Sequence, residues 1–253
     1  LTLLELKEVT KKYPVRLRNG KKNVIAVNQV NLILNEGESL ALVGESGSGK
    51  STIAKLITNI EPVTSGQILL DGKSIHRKEL KYHHLYKNIQ LVLQDSATSL
   101  HPKMTVQEII TEPIRNYFPK EINLNDKCLQ LLTLVGLEAT FLTRYAHQLS
   151  GGQKQRVCMA KTLAVQPKLI IFDESIASLD RSSQIAIIKM LKVIQTQEKI
   201  AYLFITHDLQ SAKHLCNRVA VMQEGIIVET FSDWHEKKLK HPYTKQLFKY
   251  ILG

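Results

Sequence analysis

Residues 44–51 read Gly-Glu-Ser-Gly-Ser-Gly-Lys-Ser, the full G-x-x-x-x-G-K-[ST] spacing of a loop that cradles phosphate. The main chain of Gly44, Glu45, Ser46, Gly47, Ser48 and Gly49 can turn successive N–H groups toward phosphate oxygens, and a helix opening at Lys50 adds positive potential there. Lys50 would carry a full charge to the outer phosphates, and the Ser51 hydroxyl, followed by Thr52, is a ligand for Mg2+. Farther on, Leu169-Ile170-Ile171-Phe172 is an apolar run ending in Asp173-Glu174. Ligands of open α/β sheets gather beyond the carboxyl ends of strands, so these acids should meet the phosphates. Asp173 suits the Mg2+ shell and Glu174 suits a general base that polarises an attacking water. The chemistry implied is hydrolysis of a nucleotide phosphate.

These groups need strands that end side by side. The run 39–43 reads as a strand, the glycine-rich turn follows it directly, and Ile53, Leu56, Ile57 and Ile60 recur at helical spacing after it. Further strands are expected at 3–10, 23–35, 67–70, 89–93, 168–172, 201–206 and 218–222, with helices between several of them. The middle, 96–166, has few β-branched runs. There Leu129, Leu132 and Val135 fall at helical spacing before Gly136, a helix stop. The expectation is one α/β domain over 1–253: 1–95 and 167–230 form the core with an antiparallel β subdomain, 96–166 an inserted helical subdomain, and 231–253 a helical tail. The tail reads as two short helices parted near His241-Pro242, serving packing or regulation, and His83-His84 reads as a polar loop.

With 253 residues, 43% of them hydrophobic, the chain can bury a substantial core. Its apolar runs are far shorter than the roughly 20 residues that span a bilayer. Residues 1–10 alternate apolar and charged side chains, unlike a secretion signal. The three cysteines, Cys128, Cys158 and Cys216, form no C-x-x-C pair and fit a reducing cytoplasm. The net charge of +11 has three readings: a solvated face, a nucleic-acid patch, or a surface near anionic lipid. No nucleic-acid motif accompanies the charge, so no nucleic-acid partner is expected.

Leu149-Ser150-Gly151-Gly152-Gln153, followed by Lys154-Gln155-Arg156, resembles the signature of ABC ATPases and stands, as theirs does, between the phosphate loop and the acidic strand. The resemblance covers nearly the whole chain and implies a P-loop NTPase core with ATP and Mg2+ as cofactors. It makes Gln94 the glutamine that senses Mg2+ and water and links the site to the membrane partner. Ser178-Leu179-Asp180 looks like the loop that brings Asp180 to the nucleotide interface. His207, in Thr206-His207-Asp208, looks like the histidine that contacts the γ-phosphate, and Tyr13 sits where the family places a ring under adenine. It further implies that Ser150, Gly151, Gly152 and Gln153 face ATP held by an opposite subunit. Where the family usually has Pro-Thr after the glutamate, this chain has Ser175-Ile176, and Ser96 stands where proline is common.

Residues 94–102, Gln-Asp-Ser-Ala-Thr-Ser-Leu-His-Pro, and His241-Pro242-Tyr243-Thr244 are similar to stretches of the oligopeptide/nickel (metal-chelate) importer branch. The chain stops at Gly253 without a cysteine-rich tail, which resembles the shorter nickel or metal-chelate ATPases. This branch implies an importer for peptides or metal chelates at the cytoplasmic face of the cell membrane. It also implies a paralogous ATPase subunit (a homodimer being the other arrangement), two permeases and an extracytoplasmic solute-binding protein. The competing classes are a soluble ABC ATPase acting on DNA or ribosomes and an exporter subunit. The stretch from Ser51 to Ser150 is too short for the long coiled coil typical of the first, and no membrane domain is fused to the cassette.

Overall fold

The computed structural model describes residues 1–17, 20–76, 82–93, 100–176, 180–232, 234 and 238–252. Its centre is a six-stranded sheet in the order β10-β9-β3-β8-β7-β6. These strands are β3 (Ser39–Val43), β6 (Ile89–Leu93), β7 (Leu169–Asp173), β8 (Ala201–Thr206), β9 (Arg218–Gln223) and β10 (Ile226–Phe231). The first five run parallel, and β10 pairs antiparallel to β9. A parallel sheet is covered on both faces, which is why these strands are near-continuous apolar runs. Alternate residues feed two separate cores. Ala41, Val43, Ile170, Phe172, Tyr202, Phe204, Val219 and Val221 pack on one side, and Leu40, Leu42, Ile171, Leu203, Ile205, Ala220 and Met222 on the other.

The second core is closed by α1 (Lys50–Ile57) and a four-stranded antiparallel sheet, in the order β2-β1-β4-β5. Its strands are β1 (Thr2–Leu17), β2 (Gly20–Asn35), β4 (Ser65–Leu70) and β5 (Lys73–Ser74). β1 and β2 are longer than their apolar patterning suggests, pairing out to Leu17↔Gly20. Backbone pairing between β1 and β2, not apolar alternation, carries the hairpin this far, and β2 is an edge strand, where charge is tolerated.

The first core is closed by α3 (Val106–Tyr117), α4 (Leu124–Leu134), α5 (Gly151–Leu163), α6 (Arg181–Glu198) and α7 (Leu209–Leu215). α3 is opened by a capping box, in which Thr105 Oγ1 accepts from Glu108 N–H and the Glu108 carboxylate accepts from Thr105 N–H. The middle stretch is thus helical where it is described, as its composition suggests. α4 stops at Leu134, ahead of Gly136, whose φ of +69° suits a helix end.

One expectation differs from the fold. His83 and His84 belong to a helix, α2 (Tyr82–Asn88), and not to a loop. In the tail, which the chain enters from β10, one helix, α8 (Pro242–Leu252), follows His241 as expected, and the other expected helix falls largely on 233 and 235–237, outside the described residues. Ile226-Ile227-Val228 alternate weakly with polar residues, so pairing with β9 makes this strand, not its own periodicity.

Candidate nucleotide site

Register brings the sequence-predicted groups to one edge of the sheet. Val43, the end of β3, pairs with Thr206 at the end of β8, and Asp173, the end of β7, pairs with Ile205. The residues that follow, Gly44, Glu174 and His207, therefore leave three neighbouring strands together, as the topology of such sheets requires. β6 ends at Leu93 beside Asp173. The next residue, Gln94, and Ser96, Ser178 and Leu179 lie outside the described residues.

The phosphate loop joins β3 to α1, with Gly49 as N-cap. Gly44, Gly47 and Gly49 all have positive φ, at +152°, +82° and +108°. Two of them also sit against backbone. A Cβ on Gly44 would lie 2.1 Å from Met222 O, and one on Gly49 would lie 2.3 Å from Ala26 O. The turn after β9 props the loop from below, with Gly225 N–H donating to Ser48 O at 3.0 Å. Glu45, Ser46 and Gly47 are exposed at the crest, and Thr52 is half-buried in the first turn of α1.

Lys50 is buried, and its Nζ donates to Gly44 O at 2.8 Å, Glu45 O at 2.7 Å and Ser48 Oγ at 3.4 Å. Burial holds its pKa below the usual lysine value, while the charges of Glu174, Asp173 and Glu45 oppose the shift. Ser51 Oγ donates to Asp173 Oδ1 at 3.0 Å, joining α1 to β7. Burial raises the Asp173 pKa and the adjacent Glu174 adds to it, against the Ser51 hydrogen bond and the charges of Lys50 and Lys55. Two hard oxygen donors side by side are the donor set that Mg2+ takes.

Glu174 stands in the left-handed region, φ +53°, and its N–H donates to Ile205 O at 3.0 Å. Its Oε1 lies 3.4 Å from His207 Nδ1, with the histidine side chain 62% exposed. The segment behind it is tied to neighbouring helices: Gln155 of α5 donates to Ser175 O at 3.3 Å, and Gln184 of α6 donates to Ile176 O at 3.3 Å.

The remaining candidates sit elsewhere. Ser150 is the N-cap of α5: its Oγ accepts from Gln153 N–H at 3.3 Å and Gln153 Oε1 accepts from Ser150 N–H at 2.9 Å. Gly151 and Gly152 form the first turn, a helix start of the kind that binds anions. Asp180 caps α6, accepting from Ser183 N–H at 3.0 Å and from the Ser182 hydroxyl at 2.5 Å, and these bonds hold its carboxyl well below the usual range. Tyr13 lies on β1 with Lys11 Nζ 4.9 Å from its ring centre. Among the described residues no hydrogen bond or ion pair joins Tyr13, Asp180 or Ser150 to the group formed by Lys50, Ser51, Asp173, Glu174 and His207.

Sequence reasoning missed the supports of the loop. Ala26, Met222 and Gly225 act through backbone atoms, which leave no side-chain signature, although the Glu224-Gly225 turn was legible. It also missed Tyr243, whose hydroxyl accepts from Glu45 N–H at 2.9 Å.

Comparison with known proteins bears on the family and the fold. The ABC transporter family profile matches residues 27–177. The oligopeptide transport ATP-binding protein OppF of Lactococcus lactis subsp. lactis is 42% identical over 98% of this chain and 80% of its own length. The AppF protein of Bacillus subtilis, of the same description, is 40% identical over 97% and 77%. Among solved structures, CbiO1 from Clostridium perfringens, part of the ABC transporter complex CbiONQ, superposes with a TM-score of 0.80 at 28% identity, over 91% of this chain and 88% of that one. A dimeric ATP-binding cassette in a post-hydrolysis state, bound to ADP and Pi, superposes at 0.75 and 28% identity, over 91% and 98%. The loop, the acidic strand end and the match across the whole cassette place the chain in the ABC transporter family, as one of its ATPase domains.

Proposed function

We propose that the chain binds and hydrolyses ATP at the cytoplasmic face of a membrane to energise an importer of peptides. The observation that carries the catalytic part is the Ser51–Asp173 hydrogen bond of 3.0 Å beside the Glu174–His207 pair, all at the mouth of the phosphate loop. Lys50 neutralises phosphate charge, and Glu174 accepts the proton of the attacking water. His207, within reach of the Glu174 carboxylate, donates to the γ-phosphate as charge builds on it. Ser51, Asp173 and Gln94 would hold Mg2+, which neutralises charge on the phosphate oxygens when bound. Tyr13 stacks under adenine. Ser150, Gly151, Gly152, Gln153 and Asp180 serve ATP across a subunit interface, consistent with a signature helix whose capped N-terminus carries positive potential.

Peptide is favoured over metal chelates as cargo by the oligopeptide descriptions of the most similar relatives. No helix among the described residues is long and apolar enough to cross a membrane, so passage of the solute falls to permease subunits. The further partners are a second ATPase, paralogous to this one, and an external solute-binding protein. The test is ATP turnover by the chain assembled with its permeases in liposomes. Stimulation by peptide-loaded binding protein is expected, and stimulation by a nickel chelate with none by peptide would contradict the cargo assignment.

A further inference from the structure

The C-terminal helix reaches the phosphate loop. Tyr243, in the first turn of α8, accepts a hydrogen bond from Glu45 N–H at 2.9 Å across 198 positions of sequence. That N–H belongs to the peptide unit joining Gly44 to Glu45. The carbonyl of the same unit, Gly44 O, accepts from Lys50 Nζ at 2.8 Å. One peptide group is therefore gripped by the tail through its donor and by the phosphate-loop lysine through its acceptor. Amides in such chains polarise one another, so engaging the N–H strengthens the carbonyl as an acceptor. The grip also fixes the plane of a peptide that follows Gly44, a residue with φ of +152°.

The tail is built to keep the tyrosine in place. Glu229 on β10 accepts from the N–H groups of Lys240 at 2.7 Å and His241 at 3.0 Å, satisfying backbone donors just before α8 begins. Phe231, Trp234 and Phe248 pack with ring centres 5.4 to 6.1 Å apart, and Phe248 is fully buried. The Tyr243 ring packs against the same core.

We propose that Tyr243 is a positioning residue for ATP binding: through the Gly44–Glu45 peptide it sets the orientation of the loop carbonyls that hold Lys50, and so couples the seating of the C-terminal helix to nucleotide affinity. The proposal rests on Lys50 acting on phosphate. The Gly44–Glu45 peptide shapes the loop before and during the reaction alike, so its loss weakens substrate and transition state equally, which raises KM and leaves kcat.

The experiment uses the full chain assembled with its partner subunits and compares wild type, Tyr243→Phe and Lys50→Ala. Phenylalanine keeps the ring and removes the one acceptor. The expected result for Tyr243→Phe is a KM for ATP raised about three- to tenfold, the effect of one hydrogen bond, with kcat within about twofold of wild type and an unchanged melting midpoint without nucleotide. A KM within about twofold of wild type, or a change in kcat alone, overturns the proposal. If Tyr243→Phe does not fold, Glu229→Gln decides on the same constant: a raised KM supports the coupling and an unchanged one overturns it. Lys50→Ala separates the two readings. If it leaves binding of a fluorescent ATP analogue intact, the role of Lys50 fails. If it weakens binding while Tyr243→Phe does not, only the tail coupling fails.

Discussion

Alanine at Gly47 and at Gly49 separates two costs that the phosphate loop imposes on its backbone. Both residues have positive φ, +82° and +108°, so either substitution meets the left-handed penalty of roughly 1–2 kcal/mol. Their surroundings differ. A Cβ on Gly47 meets nothing within 4 Å, whereas one on Gly49 meets Ala26 O at 2.3 Å and Met222 Cε at 2.7 Å. The methionine end can move; the carbonyl of β2 cannot without disturbing the contact between the antiparallel sheet and α1. Overpacking of that kind adds about 1–3 kcal/mol. For a domain of this size each kcal/mol lowers the melting midpoint by about 2–4 °C, so Gly49→Ala should melt about 2–12 °C below Gly47→Ala. The assay is thermal unfolding of the two variants side by side without nucleotide. Equal midpoints, or a lower one for Gly47→Ala, would refute the claim that Gly49 is fixed by its approach to β2.

His207→Ala should fold and bind ATP normally, because the side chain is 62% exposed, yet turn over at least about a hundredfold more slowly, as measured by steady-state ATPase against nucleotide titration. Equal losses of binding and rate would contradict that. The tail should loosen in acid. Burial pushes the Glu229 pKa up, but the Lys240 N–H, the Thr244 side chain and the His241 N–H and charge together outweigh it and hold the carboxyl below the ordinary glutamate value. Its stabilisation is therefore whole above that ordinary value and fades as pH falls through the depressed folded one. The fluorescence of Trp234, the single tryptophan, should report this transition, and Glu229→Gln should remove it. Ser150→Arg should damage the ATP site whose phosphate loop lies on the other subunit. Combined with Lys50→Ala on this chain it disables both sites; combined with a phosphate-loop lysine substitution on the other subunit it leaves one intact, and equal turnover in the two pairings would rule out shared sites.

Much of this site was legible because its chemistry lives in side chains at fixed spacing beside long apolar runs. The run 169–172 and the loop 44–51 each carry their strand with them, so the sequence alone places Asp173, Glu174, Lys50 and Ser51 at one sheet edge. The parallel strands were legible because burial on both faces makes them continuous in sequence. β10 was not, since its hydrogen bonds to β9 decide a pattern that is ambiguous alone. α2 was obscured by His83-His84, whose polarity suggests a loop, although Leu85 on the same helix is fully buried. The link from Tyr243 to Glu45 spans the whole cassette and passes through a backbone N–H, and no local pattern encodes such a contact.

The central claim is that Glu174 is the base for ATP hydrolysis in a loop whose phosphate grip comes from Lys50. The most direct measurement is single-turnover hydrolysis by Glu174→Gln in the assembled transporter, with ATP affinity measured on the same preparation. Unchanged affinity with hydrolysis slowed at least about a hundredfold is the predicted result. Hydrolysis near the wild-type rate would contradict it and remove Glu174 from the reaction.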